Sequence, residues 1–283
     1  MVNNMEEIEK FNYLYERLDS RWNSTDDIKR NIHRTKIYKL LDLLEPDRSL
    51  LDVCRGGSVD GILGVWAAKK GLDVTICSVK QIYLDVIKKF AQDNNVNNIK
   101  YVLCEPANLV FDNETFDYVS CIHVLEHVDQ FNCAMNELWR VTKEYVIIAL
   151  PTCLNACVFA RIGGADYYHF TKKSIPAMLL GMIKVLGGLI SFRQGVYEIN
   201  SEKGVSFMHF MRFPWSVKRE VERHTFQVIK MGADGICVPW LKNAIKIQNK
   251  LDKYAYKRFF RNFGFGTHVL ARKRRKHDNN TVL

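Results

Sequence analysis

The chain has 283 residues, of which 47% are hydrophobic and 25% charged, with a formal net charge of +10. That is ordinary for a soluble globular protein and enough to bury one α/β domain with insertions or a small extra lobe. The N-terminus, MVNNMEEIEKFNYLYERLD, is acidic and amphipathic and lacks the basic start and apolar run of a signal peptide, so the expected location is the cytoplasm and the eight scattered cysteines are expected as thiols.

Two helical patterns come first, at about 5–18 and 26–44, the second carrying Ile28, Ile32, Ile37, Leu40 and Leu41 near helical spacing. Residues 1–48 are expected to lie over the site as N-terminal helices. From residue 49 the texture changes. The short apolar runs SLLDVC, DVTICS, IKYVLC, FDYVSCI and YVIIALP are separated by amphipathic stretches such as VDGILGVWAAKKG and QIYLDVIKKFAQDN. Strands apolar on both faces and joined by helical crossovers predict a Rossmann-like, doubly wound α/β core, mostly parallel, over 49–151.

After Pro151 the alternation stops. Residues 152–206 read as a helical cap inserted into the core, with Gly-Gly pairs at 163–164 and 187–188. Two further strands are expected at 225–232 and 266–273, so that 207–273 completes the sheet around a basic helix at 239–259. The tail 274–283 reads as basic and disordered. Leu241 to His277 holds twelve Lys/Arg against one Asp, which leaves the rest of the chain close to neutral. Such a segment suits an anionic partner, or is simply a solvated face.

In sheets of this kind ligands bind beyond the carboxyl ends of the strands, where the strand order reverses. The first strand ends in DVCRGGS, a glycine turn that admits close backbone approach, followed by a helix N-terminus that favours negative charge. The second ends at Ser78, where nucleoside binders usually place an acid for the ribose hydroxyls. The third offers Glu105. The fourth runs FDYVSCIHVLEHV and sets His123, Glu126 and His127 just past its end.

LLDVCRGGS, VTICSV, CEPANLVFDNETFDYVSCIHVLEHV, MNELWRVTKEYVIIALP and HFMRFPWSVKREVERHTFQVIKMGA, in that order, resemble the motif series of class I S-adenosylmethionine-dependent methyltransferases of the small-molecule type. The resemblance covers most of 10–151 and 207–273. It implies a sheet of about seven strands and S-adenosyl-L-methionine as cofactor, with S-adenosyl-L-homocysteine as product. By position, Asp52, Cys54, Gly56 and Gly57 fall on the turn for the methionine moiety and Ser78 on the ribose site. Glu105, Pro106 and Ala107 fall on the adenine edge, with Ile122 and His123 where the fourth strand meets the cofactor.

Two departures stand out. Cys54 and Ser58 replace motif glycines around Arg55, and Ser78 replaces the ribose acid. Losing a charged acceptor costs about 1.5–3 kcal/mol, roughly ten- to a hundredfold in affinity.

His123, His127, His169 and His209 are candidate general bases, since histidine titrates near neutrality; capping or pairing would explain them equally. Tyr167, Tyr168, Arg212 and Trp215, in and after the cap, are candidate acceptor contacts. No metal is expected, because the strand-end cysteines 54, 77, 104 and 121 fit no ligand spacing and suit buried packing. The apolar run at 175–192 contains Pro176, Lys184 and three glycines and is too short to span a bilayer. With Lys242, Lys246, Lys250, Lys253 and Lys257 on one helix face, it suits a peripheral contact with the inner membrane surface.

The resulting expectation is a cytoplasmic methyltransferase acting on a small-molecule or lipid-like acceptor, at oxygen in preference to nitrogen or carbon. Two rivals remain: a degenerate relative with a binding or regulatory role, and an RNA methyltransferase using the basic C-terminal segment.

Overall fold

The computed structural model describes residues 2–23, 34, 36–54, 61–165, 171–172, 174–202, 205–236 and 245–274. The expectations for Arg55, Gly56, Gly57 and Ser58, for Tyr167, Tyr168 and His169, for Lys242 and for the tail beyond 274 lie outside those residues.

Seven strands form one sheet: β1 (Ser49–Val53), β2 (Asp73–Ser78), β3 (Ile99–Leu103), β4 (Phe116–Ile122), β5 (Thr142–Pro151), β8 (Phe226–Asp234) and β9 (Gly266–Lys273). Their order is β3-β2-β1-β4-β5-β9-β8. Neighbours pair in parallel through β5, and β9 runs antiparallel to both β5 and β8. The central strands are buried along almost their whole length, as strands with helices on both faces must be. Because the chain winds from β1 to β3 in one direction and returns through β4 in the other, the crevice opens between the carboxyl ends of β1 and β4.

One apolar layer joins the sheet to α3 (Ile62–Lys69), α4 (Gln81–Asp93) and the N-terminal helices α1 (Val2–Asn23) and α2 (36–41). The other joins it to α5 (Phe131–Val141) and α8 (Pro214–Arg223). Trp22 of α1 stacks on Trp66 of α3 at 4.9 Å. The Lys70 ammonium donates to the carbonyls of Leu41 and Leu44, at 2.7 and 2.6 Å, and so caps the end of α2.

The cap is built from α6 (Ala156–Ile162), α7 (Ser174–Ile190) and an antiparallel hairpin of β6 (Gly195–Glu202) and β7 (Val205–Arg212). It is therefore not helical throughout. Its hairpin takes in residues 207–212, which the sequence reading gave to the core sheet, and the core resumes at Pro214, which opens α8. The cap has its own apolar cluster of Val158, Ile162, Val185, Val196, Met211 and Phe213.

Helices α6 and α7 touch backbone to backbone. A Cβ on Gly181 would lie 1.8 Å from the Phe159 carbonyl oxygen, and one on Gly163 the same distance from that of Ala177. Gly181→Ala is thus expected to prise the two helices apart at a cost of about 1–3 kcal/mol. Faster proteolytic nicking within the cap, at an unchanged rate in the sheet, is the readout.

The basic helix is shorter than expected. Helix α9 spans Ile245–Asp252, and residues 253–259 follow as turns. The Asp252 carboxylate is drawn inward, accepting from the Ile236 amide and pairing with Lys39. Lys253 and Lys257 therefore do not continue a helical face.

Candidate functional site

The carboxyl ends of β1 and β2 are dry and closely joined. Asp52 is 1% exposed, and its carboxylate accepts from the Gly64 amide (2.9 Å) and the Ser120 hydroxyl (2.6 Å). Burial pushes its pKa up to about 6, against the pull of those two hydrogen bonds. Asp52 thus ties α3 to β1 and β4, and its two oxygens are engaged within the protein. Cys54 is also turned inward, its thiol donating to the Cys77 carbonyl at 3.1 Å, so the cysteine in place of a motif glycine does not fill the crevice with its side chain. A hydrogen bond between the Cys77 and Cys104 thiols raises the first pKa and lowers the second.

Ser78 ends β2 at 1% exposure, and its hydroxyl has no hydrogen-bond partner among the described residues. A buried hydroxyl left unpaired costs free energy that a ligand can recover. Glu105 is exposed and opens a tight turn closed by the Asn108 amide, with Pro106 buried and Ala107 half-buried inside it. Leu103 and Val110 stand exposed beside this turn and offer an apolar edge for a planar ring. These features fit a nucleoside cofactor: a hydroxyl unsatisfied among the described residues where the ribose is expected, and an apolar edge where the adenine is expected. The side chain of Ile122 is buried in the core.

Past β4, the chain turns sharply at His123, whose φ of 55° lies in the left-handed region. Its amide still donates to the Ala149 carbonyl. The imidazole sits between two carboxylates, with Nδ1 3.3 Å from Glu126 Oε1 and Nε2 3.3 Å from Asp234 Oδ2. Burial and the neighbouring Lys36 push its pKa down, but the two carboxylate hydrogen bonds outweigh them and the net shift is upward. Burial likewise works against ionised Asp234, yet the Lys36 ammonium at 2.8 Å and the two histidines hold it well below the ordinary carboxylate range. His268 Nδ1 meets Asp234 Oδ1 at 2.5 Å, and its Nε2 lies 3.2 Å from the Tyr256 hydroxyl. Gly266 leaves the room this needs: a Cβ there would come within 2.9 Å of Asp234 Oδ2 and 3.1 Å of His123 Cε1. Glu126 Oε2 is buried with no partner among the described residues.

The short 3-10 turn Leu125–His127 links this cluster to a second one. The His127 ring meets His209 edge to face at 4.6 Å. His209 Nδ1 lies 3.2 Å from Glu198 Oε2, and Arg161 pairs with the other oxygen of the same fully buried carboxylate. Arg212 lies over Phe131 and Phe210 and donates to Gln194. Trp215 stacks on Phe213 and lines an open surface groove with Lys218, Arg219, Glu222 and Arg223 that shares no residue with either cluster.

Of the sequence candidates, the structure brings together His123, His127 and His209 and places Ser78 and Glu105 at neighbouring strand ends. Lys36, Asp234, Tyr256, His268 and Glu198 were not among them. Among the described residues no group of three or more His, Cys, Asp or Glu side chains is disposed to hold a metal.

Residues 51–150 match the family model described as a methyltransferase domain. A ubiquinone/menaquinone biosynthesis C-methyltransferase of Zymomonas mobilis is 27% identical over 133 residues, which are 46% of this chain and 54% of that protein. The chain thus spans about half the length of that relative. A S-adenosylmethionine-dependent methyltransferase from Methanosarcina mazei superposes with a TM-score of 0.53 at 14% identity, over 83% of this chain and 96% of that one. Magnesium protoporphyrin IX methyltransferase from Synechocystis, with S-adenosylhomocysteine bound, gives 0.53 at 13% identity over 94% of each chain.

Proposed function

We propose that this chain, whose residues 51–150 match the methyltransferase-domain model, transfers a methyl group from S-adenosylmethionine to a small, partly apolar acceptor, at an acidic hydroxyl. The observation that supports this reading best is His123, held between Glu126 and Asp234 just past β4. It stands two strands from the Ser78 hydroxyl, which has no partner among the described residues, a separation of roughly 10 Å at ordinary strand spacing. When bound, the cofactor supplies a methyl carbon on an already activated sulfonium.

The chain's own residues do the rest. Ser78 would hold the ribose and the Glu105–Ala107 turn would border the adenine, while Asp52 ties α3 to β1 and β4. The acceptor's proton leaves onto the His123–Glu126 pair, whose charge is shared with Asp234. Alignment supplies most of the remaining acceleration. The relative's name favours carbon as the methylated atom; a phenolic or enolic acceptor would need the same proton removed in either case, and product analysis separates the two. The basic surplus of the C-terminal segment supports contact with an anionic surface, which salt would weaken.

Calorimetry with S-adenosylmethionine is the first test. Binding is expected, weakened about two- to tenfold in Ser78→Ala; no heat at millimolar cofactor would leave the chain a methyltransferase-like binding protein. With acceptor present, the rate should rise with pH through the raised pKa of His123, above the ordinary value of about 6.5, and lose that limb in His123→Gln. An unchanged limb sinks the proton-removal role.

A further inference from the structure

Helix α7 is built inside out for a helix in water. The residues it buries are Ser174, Gly181, Val185 and Gly188, a narrow stripe of mostly small side chains. Leu179, Leu180, Ile183, Leu186 and Ile190 are exposed, the last at 78%, and Phe192 beyond the helix end is exposed at 95%. Small residues inside and large apolar ones outside reverse the arrangement the hydrophobic effect selects against solvent. The inward contacts also fix this orientation. Gly181 lies against the Phe159 backbone, and a Cβ on Gly188 would sit 2.8 Å from Val196 Cγ1, so the helix cannot roll its large side chains inward.

We propose that the outer face of α7 is a docking face for a lipid bilayer bearing anionic headgroups, lying in the interface with its axis along the membrane plane. Three observations select that occupant. Between Ile175 and Ile190 the only side chain that is not apolar is Lys184, whose ammonium folds back to donate to the Ile162 carbonyl at 3.2 Å. Protein interfaces carry about one hydrogen bond per 100–200 Å², and this face offers a partner almost none, whereas acyl chains ask for none. Secondly, Lys172 and Arg193 flank the face and are exposed, and the sequence has no Asp or Glu from 167 to 197. This apolar strip, flanked in sequence by exposed basic residues, complements anionic headgroups and would repel its copy on a second chain of the same charge. Thirdly, the 17-residue helix is about 26 Å long, short of the roughly 30 Å hydrocarbon core, which favours an in-plane seat.

The docking stands independently of methyl transfer. Helix α7 belongs to the same cap as His209, so a seated α7 brings the cap and the clusters beneath it to the lipid surface.

The test is flotation of the full chain with vesicles of phosphatidylcholine alone and of phosphatidylcholine with phosphatidylglycerol. The chain should float with the mixed vesicles, and Ile183→Glu with Leu186→Glu should lower partitioning about tenfold or more while circular dichroism stays unchanged. In a Phe192→Trp variant, brominated acyl chains should quench fluorescence beyond the quenching of the parent. Binding that survives the double substitution would assign attachment to other basic residues and overturn the proposal. So would a stable dimer in solution that the same substitution dissociates, which would make the face a contact between copies. Absence of flotation with either vesicle overturns it directly.

Discussion

Replacing Asp234 by alanine is expected to lower folding stability by about 3–5 kcal/mol, read as a fall in the urea midpoint. The carboxylate is the common partner of Lys36, His123 and His268, and Lys36 is 4% exposed. Without it an ammonium stays buried with no countercharge. Adding Lys36→Met should recover a large part of the loss, because an apolar side chain of similar length has no charge to strand. Equal losses in the single and double variants would show that the pair is not coupled.

The pH dependence of the Asp234→Ala loss has a definite sign. The folded pKa of Asp234 lies well below its unfolded value, so its contribution is present above about pH 4 and fades as pH falls through the folded pKa. The His123 shift is upward, so that contribution is full below about pH 6.5 and is lost as pH rises through the raised value. The difference between wild type and Asp234→Ala should therefore be widest in mildly acidic solution.

How far the sequence could be read follows from where each signal is stored. The strands were legible because burial on both faces leaves continuous apolar runs, and the crevice followed from their order. The His123–Glu126–His127 group was legible because it lies within five residues of one strand end. The rest of the cluster was not. Lys36, Asp234, Tyr256 and His268 come from four separate segments, and pairing β9 antiparallel with β8 sets Gly232 against His268 and Asp234 against Gly266. No local period encodes that register. The faint signals were a lysine, Lys36, directly before the apolar pattern IYKLL and an aspartate at the end of the strand MGAD. Composition misplaced the cap boundary for a related reason: β7 resembles a core strand in its apolar content, and only its pairing with β6 assigns it elsewhere. Cys54 shows the converse, since it departs from the motif glycine in sequence, yet its thiol turns inward.

Glu198→Gln should act on the cap and spare the sheet. Glu198 is fully buried and neutralised by Arg161 and His209. Burial works against its ionised form, but those two partners outweigh it and hold its pKa low. Arg161 is 22% exposed, so on losing its partner it can reach water, as Lys36 cannot. The cost should accordingly fall below that of Asp234→Ala, at about 2–3 kcal/mol. It should also be local. The β6–β7 hairpin forms a two-stranded sheet apart from the main one, and the cap has its own apolar cluster, which are the conditions for sub-global opening. Amide hydrogen exchange over 195–212 is expected to speed up by about 30- to 150-fold, with β1, β4 and β5 unchanged. A uniform loss of protection across both sheets would mean that the cap and core unfold as one unit. A local loss would place His209, and its ring contact with His127, on an element able to open while the rest of the candidate site stays folded.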